Sequence, residues 1–152
     1  MAGNRYCTPD TIRLFLLDRT GSDNFLLDDV DFEDPLLDLA QTLAVDRYNT
    51  TDPFLDEVYT VQDFPFRVEF LLGVTAFLLR SKSLSLKRNQ LNYSSSAGTA
   101  VDDKAQANDY ASLAVQFQQE FDQRVRKIKT QKNVSEGYGY VDSRYSDLGA
   151  TW

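Results

Sequence analysis

Residues 68–79 read VEFLLGVTAFLL, and this stretch decides the fold. It is apolar nearly all round, and a helix with no polar face belongs at the buried centre of a bundle. Leu71, Leu72, Val74, Phe77 and Leu78 are its expected core contacts. Gly73 and Ala76 lack bulk, so a neighbouring helix is able to come close there. Glu69, Gly73 and Thr75 interrupt the run, which is too short to span a bilayer. The helix is expected to begin around Pro65, to turn polar and basic through RSKSLSLKRNQ, and to end near Leu91.

Working outward, two helices are expected before it. Thr8-Pro9-Asp10 combines an N-cap residue, a proline at the first helical position and an acid in the first turn. Ile12, Phe15 and Leu16 then share a face, and the helix is expected to stop between Asp18 and Ser22. Phe25, Leu26 and Leu27 lead into the acidic stretch DDVDFED. Asp34-Pro35 opens the next helix in the same way, with Leu36, Leu39, Ala40, Leu43 and Ala44 at helical spacing. That helix is expected to reach about Tyr48 and to break at Asn49–Pro53. Residues 54–64 are compatible with a loop or a short strand.

On the C-terminal side, residues 93–101 (YSSSAGTAV) form a Ser/Gly/Ala loop. Asp102 is the expected cap of a long helix reaching about Asn133. Its seam of Tyr110, Ala114, Phe117, Phe121, Val125 and Ile128 steps by threes and fours. Such a seam packs along the bundle or against another subunit. Arg124, Arg126, Lys127, Lys129 and Lys132 suit the negative end of that helix. The fold class is therefore mainly α: a small helical bundle of about four helices with a long C-terminal helix and an extended C-terminal arm. The expected division is a bundle over residues 1–133 and an aromatic arm over 134–152.

Composition narrows the chemistry. At 42% apolar and 26% charged the chain is ordinary globular material, long enough at 152 residues for one domain with a core. The net charge of −7 argues against a broad grip on nucleic acid. There is no histidine and one cysteine, Cys7. These counts remove Ser-His-Asp and Cys-His nucleophilic sites, His-containing zinc sites and Cys₄ sites. Neither a P-loop nor a dinucleotide fingerprint occurs. Cys7 lies just before a helix, which lowers a thiol pKa, but without a His partner it is read as incidental. The lone cysteine and the absence of an apolar leader in MAGNRYCTPD point to a reducing compartment, so the N-x-S/T triplets at Asn49, Asn92 and Asn133 carry no weight.

Charge is unevenly spread. From Asp18 to Glu57 twelve acids face only Arg19 and Arg47, a net of −10, which leaves +3 for the rest. Asp29, Asp31 and Glu33 have the look of a calcium loop but lack the central Gly and closing Glu of an EF-hand. A solvated acidic face is the plainer reading. The basic groups Arg80, Lys82, Lys87 and Arg88, with those from Arg124 to Lys132, come without any helix-turn-helix, RNP or zinc pattern. Pairing with the acidic half of a neighbouring copy suits them better than base readout. Phe117, Phe121, Arg124 and Lys127 are the candidate subunit-interface residues.

The order of features resembles a known family. TIRLFLLDR (11–19) and LLDDVDFEDPLLDLAQTLAVDRYN (26–49) look like the opening of tailed-bacteriophage head–tail connector (adaptor) proteins. The pattern continues through LLGVTAFLLRS (71–81), RNQLNYSSSAGTAV (88–101), DDKAQANDYASLAVQFQQEFDQRVRKIKTQKN (102–133) and YGYVDSRY (138–145). The likeness covers most of the chain as a pattern, with no single signature residue.

The resemblance implies a structural virion protein at the neck, made in the host cytoplasm and located at the portal vertex. It implies a homo-oligomeric ring, usually of twelve copies, beneath a portal protein. That ring extends the DNA channel without gripping DNA specifically and docks a tail or stopper protein. With no histidine and a single cysteine, no enzyme activity, metal or cofactor is expected, and no membrane partner. The C-terminal arm would reach the portal, with Tyr138, Tyr140, Val141, Arg144, Tyr145 and Trp152 as contact residues. Its apolar content is too small to order it alone, so it is expected to order only in the assembly. Two other readings stay open: another phage neck, tail-completion or baseplate component, and a small acidic helical regulatory module that binds a cellular protein.

Overall fold

The computed structural model describes residues 8–18, 31–88 and 103–137, and within them it is helical with no strand. Four helices follow in order: α1 Pro9–Leu16, α2 Asp34–Thr50, α3 Arg67–Arg88 and α4 Asp103–Gly137. Helix α3 is the hub, packing against α1, α2 and α4. No described helix is long and apolar enough to cross a membrane.

Helix α1 starts as its sequence dictates. The Thr8 hydroxyl accepts from the Thr11 amide at 3.3 Å, and Pro9 occupies the first turn. The helix ends at Leu17, which takes the left-handed conformation at φ 58°. Glycine is the usual residue there, and a side chain in this region costs roughly 1–2 kcal/mol. Beyond it the buried Asp18 carboxylate accepts from the Asp31 amide at 2.7 Å, the Phe32 amide at 3.2 Å and Arg13 Nη1 at 3.0 Å. The two ends of the intervening acidic stretch are thus pinned together.

Helix α2 departs from expectation in two ways. Glu33, not Asp34, holds the cap position and makes no side-chain cap bond; Asp34 instead receives Arg13 Nη2 at 2.8 Å. The buried face is Leu37, Ala40, Gln41, Ala44, Val45 and Tyr48, whereas Leu39 and Leu43 are exposed. Ala40 and Ala44 of the expected face are buried and Leu36 packs against the core, so the inward stripe is turned from the expected one only enough to expose Leu39 and Leu43. The cause is steric: at the closest contact with α3 the α2 residue is Ala44, where a leucine would not fit.

That closest point is Gly73. A Cβ there would lie 3.0 Å from the Ala44 Cβ of α2 and 3.0 Å from the Phe121 ring of α4. Phe121 and Ala44 thus meet over a bare backbone. Phe70, Leu72, Val74, Ala76, Leu78 and Leu79 of α3 are buried, while Leu71 and Phe77 pack against the core part-exposed. Residues 54–64 form a loop rather than a strand. The Asn49 side chain holds it by donating to the Tyr59 carbonyl at 2.9 Å and accepting the Tyr59 amide at 3.1 Å.

Helix α4 has 35 residues, about 52 Å at 1.5 Å per residue. It runs antiparallel to α3, since Phe121 meets Gly73 while Ala107 accepts from the Ser83 hydroxyl at 2.8 Å. It continues through Gly137, past the Asn133 end expected from the sequence. Phe121, expected at a subunit interface, is instead fully buried in the chain's own core and unavailable to a neighbour.

A branched side chain at position 73 has to push α2 and α4 apart. Gly73→Val is expected to cost about 1–3 kcal/mol of stability, read as a lowered thermal midpoint. An unchanged midpoint would show that the close three-helix contact is not formed.

Candidate functional site

Three features stand out beyond the core: a polar knot at the end of α2, a cationic flank on α4 and an apolar groove between α3 and α4.

The knot is built on Lys129. Its side chain is only 1% exposed, and Nζ donates to the carbonyls of Thr51 at 2.6 Å and Asn49 at 3.3 Å. These carbonyls lie at the C-terminal end of α2, where helices leave orphan acceptors, so α4 caps α2 with a buried cation. Nζ also sits 4.8 Å from the centroid of the Tyr48 ring. Burial pushes the Lys129 ammonium below its ordinary pKa. The basic residues near the end of α4 were expected to serve their own helix; Lys129 and Lys132 instead reach across to residues 49–59.

Lys132 donates to Glu57 at 2.5 Å and to the Tyr59 hydroxyl at 2.7 Å, and Tyr59 donates to Glu57. The Lys132 contact lowers the Glu57 pKa, and the Glu57 contact raises that of Lys132. Burial, followed by the Glu57 bond, raises Tyr59. Each group is driven away from neutral pH, so none is poised to exchange a proton there. Beneath them Tyr48, Tyr59, Phe64, Phe66 and Phe70 form a cluster of ring contacts with centroids 4.9–6.2 Å apart.

The cationic flank carries two of the candidate interface residues. Arg124 pairs with Glu120 at 2.9 Å and approaches Glu69 at 4.0 Å, while Lys127 is exposed. Both line a shallow polar cleft of about 570 Å³ with Gln123 and Gln131. Phe117 packs part-buried against the core. Tyr138, Tyr140, Val141, Arg144, Tyr145 and Trp152 lie outside the described residues.

The groove has a volume of about 340 Å³ and an apolar lining from Ala76 and Phe77 of α3 and Ala111, Ala114 and Val115 of α4. Arg80, Gln118 and Gln119 supply its polar edge. Arg80 has no ion pair among the described residues. Of the acids first weighed as a calcium loop, Asp31 is bound by Lys82 Nζ at 2.7 Å, and Asp29 lies outside the described residues. Among the described residues no three potential ligands converge on one point.

Lys129 was missed in the sequence, although its position announces it: Phe121, Val125 and Lys129 step by four along the buried stripe. Arg13, which ties α1 to α2, carries no comparable signal. No protein-family model, curated protein or solved structure matches the chain.

Tyr48 provides a test of the knot. Its hydroxyl is buried with no hydrogen-bond partner among the described residues, and burial pushes its pKa up to about 12. The folded state therefore keeps a proton that the unfolded chain releases near pH 10, so stability is full below pH 10 and falls as pH rises toward 12. Tyr48→Phe removes an unsatisfied group. It is expected to leave stability at pH 7 within about 1 kcal/mol of the parent, or to raise it. It is also expected to flatten the alkaline fall in thermal midpoint. A loss of several kcal/mol at pH 7 would mean the hydroxyl is bonded.

Proposed function

We propose that this chain is a structural assembly protein of a virion neck, a head–tail connector that forms a homo-oligomeric ring and carries no catalytic activity. The observation that carries the reading is the exposed charged flank of α4, where Lys127 stands beside the Arg124–Glu120 pair on a side turned away from the acidic α2. Asp122 of α4 binds Arg47 of α2 at 2.8 Å. Arg124 stands two residues further on, about 200° round the helix, and so points away from α2. One chain thus presents Lys127 and the paired Arg124 on one side and Asp38 and Asp46 on the other, all open to solvent. Unlike faces on opposite sides make head-to-tail contacts, which close into rings when the rotation permits.

The pairing of charges elsewhere supports a structural role. Arg13, Lys82, Arg47 and Lys132 each hold a carboxylate of another segment. The resemblance in sequence order to connector proteins supplies the setting: a portal ring above, a tail or stopper below, and DNA passing through the channel. In this reading the residues after Gly137 attach the ring to the portal through Tyr138, Tyr140, Tyr145 and Trp152.

Deletion of residues 138–152 tests this directly. The shortened chain is expected to keep its helical circular dichroism and thermal midpoint, yet to bind purified portal rings at least tenfold more weakly in a pull-down titration. Unchanged portal binding would remove the arm from the attachment. An intact chain that neither forms rings by electron microscopy nor binds portal would remove the connector reading itself.

A further inference from the structure

We propose that the exposed apolar end of α1 on one copy seats in the groove between α3 and α4 of the next copy. This deepens the assembly reading above and rests on it.

The end of α1 is built to be seen. Leu14 and Leu17 are 56% and 74% exposed, and Phe15 is half-exposed beside them. Leu17 is moreover the one described non-glycine residue with positive φ. Glycine would hold that conformation without strain, so the position presents a large apolar side chain to solvent where a cheaper residue serves the fold. A strained and exposed hydrophobe of this kind points to a contact.

The groove is the complementary shape. Helices α2 and α4 run parallel, touching α3 together at Gly73 and held to each other by Arg47 and Asp122. Toward their N-terminal ends they leave the groove open. Leu43 and Leu39 lie one and two turns before Arg47 on the same face of α2. Gln118 and Val115 stand about one and two turns before Asp122 on α4. Of these, Val115 and Gln118 line the opening, with Val115 exposed and Phe77 and Ala76 on its floor, while Leu39 and Leu43 are exposed on α2 outside the lining.

Charge completes the match. Asp10 lies one turn before Leu14 on α1, exposed and without an ion pair among the described residues. Arg80 at the groove edge is exposed and equally unpaired. One acid at the rim of the knob thus meets one cation at the rim of the hole.

Position excludes contact within one chain. The end of α1 is tied through Asp18 and Asp31 to Lys82 of α3. Arg80 stands two residues earlier, about 200° round the same helix. Knob and hole lie on opposite sides of α3, so their union is heterologous and propagates from copy to copy.

Two variants separate the partners. Leu14→Ser with Leu17→Gly removes the knob while suiting the left-handed turn, and Val115→Glu fills the groove mouth with charge. Both alter exposed positions, so circular dichroism is expected to match the parent and neither melting point to fall, with Leu17→Gly if anything raising it. Native mass spectrometry and sedimentation velocity on the full chain are expected to show oligomers for the parent and at least tenfold weaker self-association for each variant. Mixed together, the two variants are expected to form a one-to-one pair and nothing larger, because one intact knob meets one intact hole. A reciprocal charge swap, Asp10→Arg with Arg80→Asp, is expected to restore association that either change alone weakens. A mixture that yields no pair overturns the knob-in-groove contact. So does a parent-like oligomer from both variants, which leaves the connector reading standing on other surfaces. If Val115→Glu alone blocks assembly, the groove receives another segment and the α1 assignment is wrong. A parent chain that stays monomeric at every concentration, with and without portal, overturns the assembly reading together with this one.

Discussion

The near-contact at Gly73 governs the rest of the structure. Three helices converge on a residue without a side chain, with Ala44 and Phe121 meeting over it. Ridges of side chains normally hold helix axes 8–10 Å apart, and glycine opposite alanine lets them sit at the close end of that range. Close approach at one point has a geometric consequence. Straight helices that touch at one level separate away from it unless larger side chains fill the widening gap. On the C-terminal side of α2 the gap is filled by Tyr48, Phe64, Phe66 and Phe70. On the other side the groove is lined by small and apolar residues, Ala76, Phe77, Ala111, Ala114 and Val115, with a polar edge. One constraint thus yields both the aromatic core and the apolar opening.

The aromatic side carries the harder electrostatic problem. The end of α2 is covered by α4, so its last carbonyls lose water and need a donor. A lysine supplies one, but an ammonium loses hydration energy on burial, which is what depresses the Lys129 pKa. The Tyr48 ring face and two carbonyl oxygens replace part of that hydration. Lys132, one turn away, meets the carboxylate of Glu57 near solvent and keeps its charge easily. Two cations on one helix face therefore do different jobs according to depth: the inner one terminates a helix, and the outer one ties down a loop.

Much of this was legible in the sequence, and the misses share a cause. The Thr8-Pro9 start, the central position of α3 and the need for a small residue at Gly73 follow from local chemistry or from an apolar run. The face of α2 follows only in part: Leu36, Ala40 and Ala44 of the expected stripe pack inward, but Leu39 and Leu43 at its edge face water while Leu37 and Tyr48 are buried. Only the spacing demanded by α3 settles that edge. Phe121 reads as an interface residue when α4 is viewed alone, since a seam of threes and fours does not say which helix fills it. Lys129 was hidden by its charge: a basic residue near a helix end has a ready local explanation, and only the neighbouring end of α2 shows the other one. The residues assigned to the arm lie beyond the described helices, so that part of the candidate site rests on composition and resemblance.

The exposed apolar surface also bears on how copies of the chain would meet. Leu14, Leu17, Leu39, Leu43 and Val115 are large side chains facing water, yet they are divided between two sides of α3. A patch that matched itself would pair two copies face to face and stop. Patches that match only each other leave one free end after every addition, so growth depends on the angle between them. The net charge of −7 opposes that growth through mutual repulsion, most strongly along the acidic stretch before α3. Repulsion between exposed charges is screened within about 8 Å at physiological salt, whereas apolar contact is not. Under the proposed knob-in-groove contact, this balance would favour free chains when they are dilute and assembly when they are concentrated.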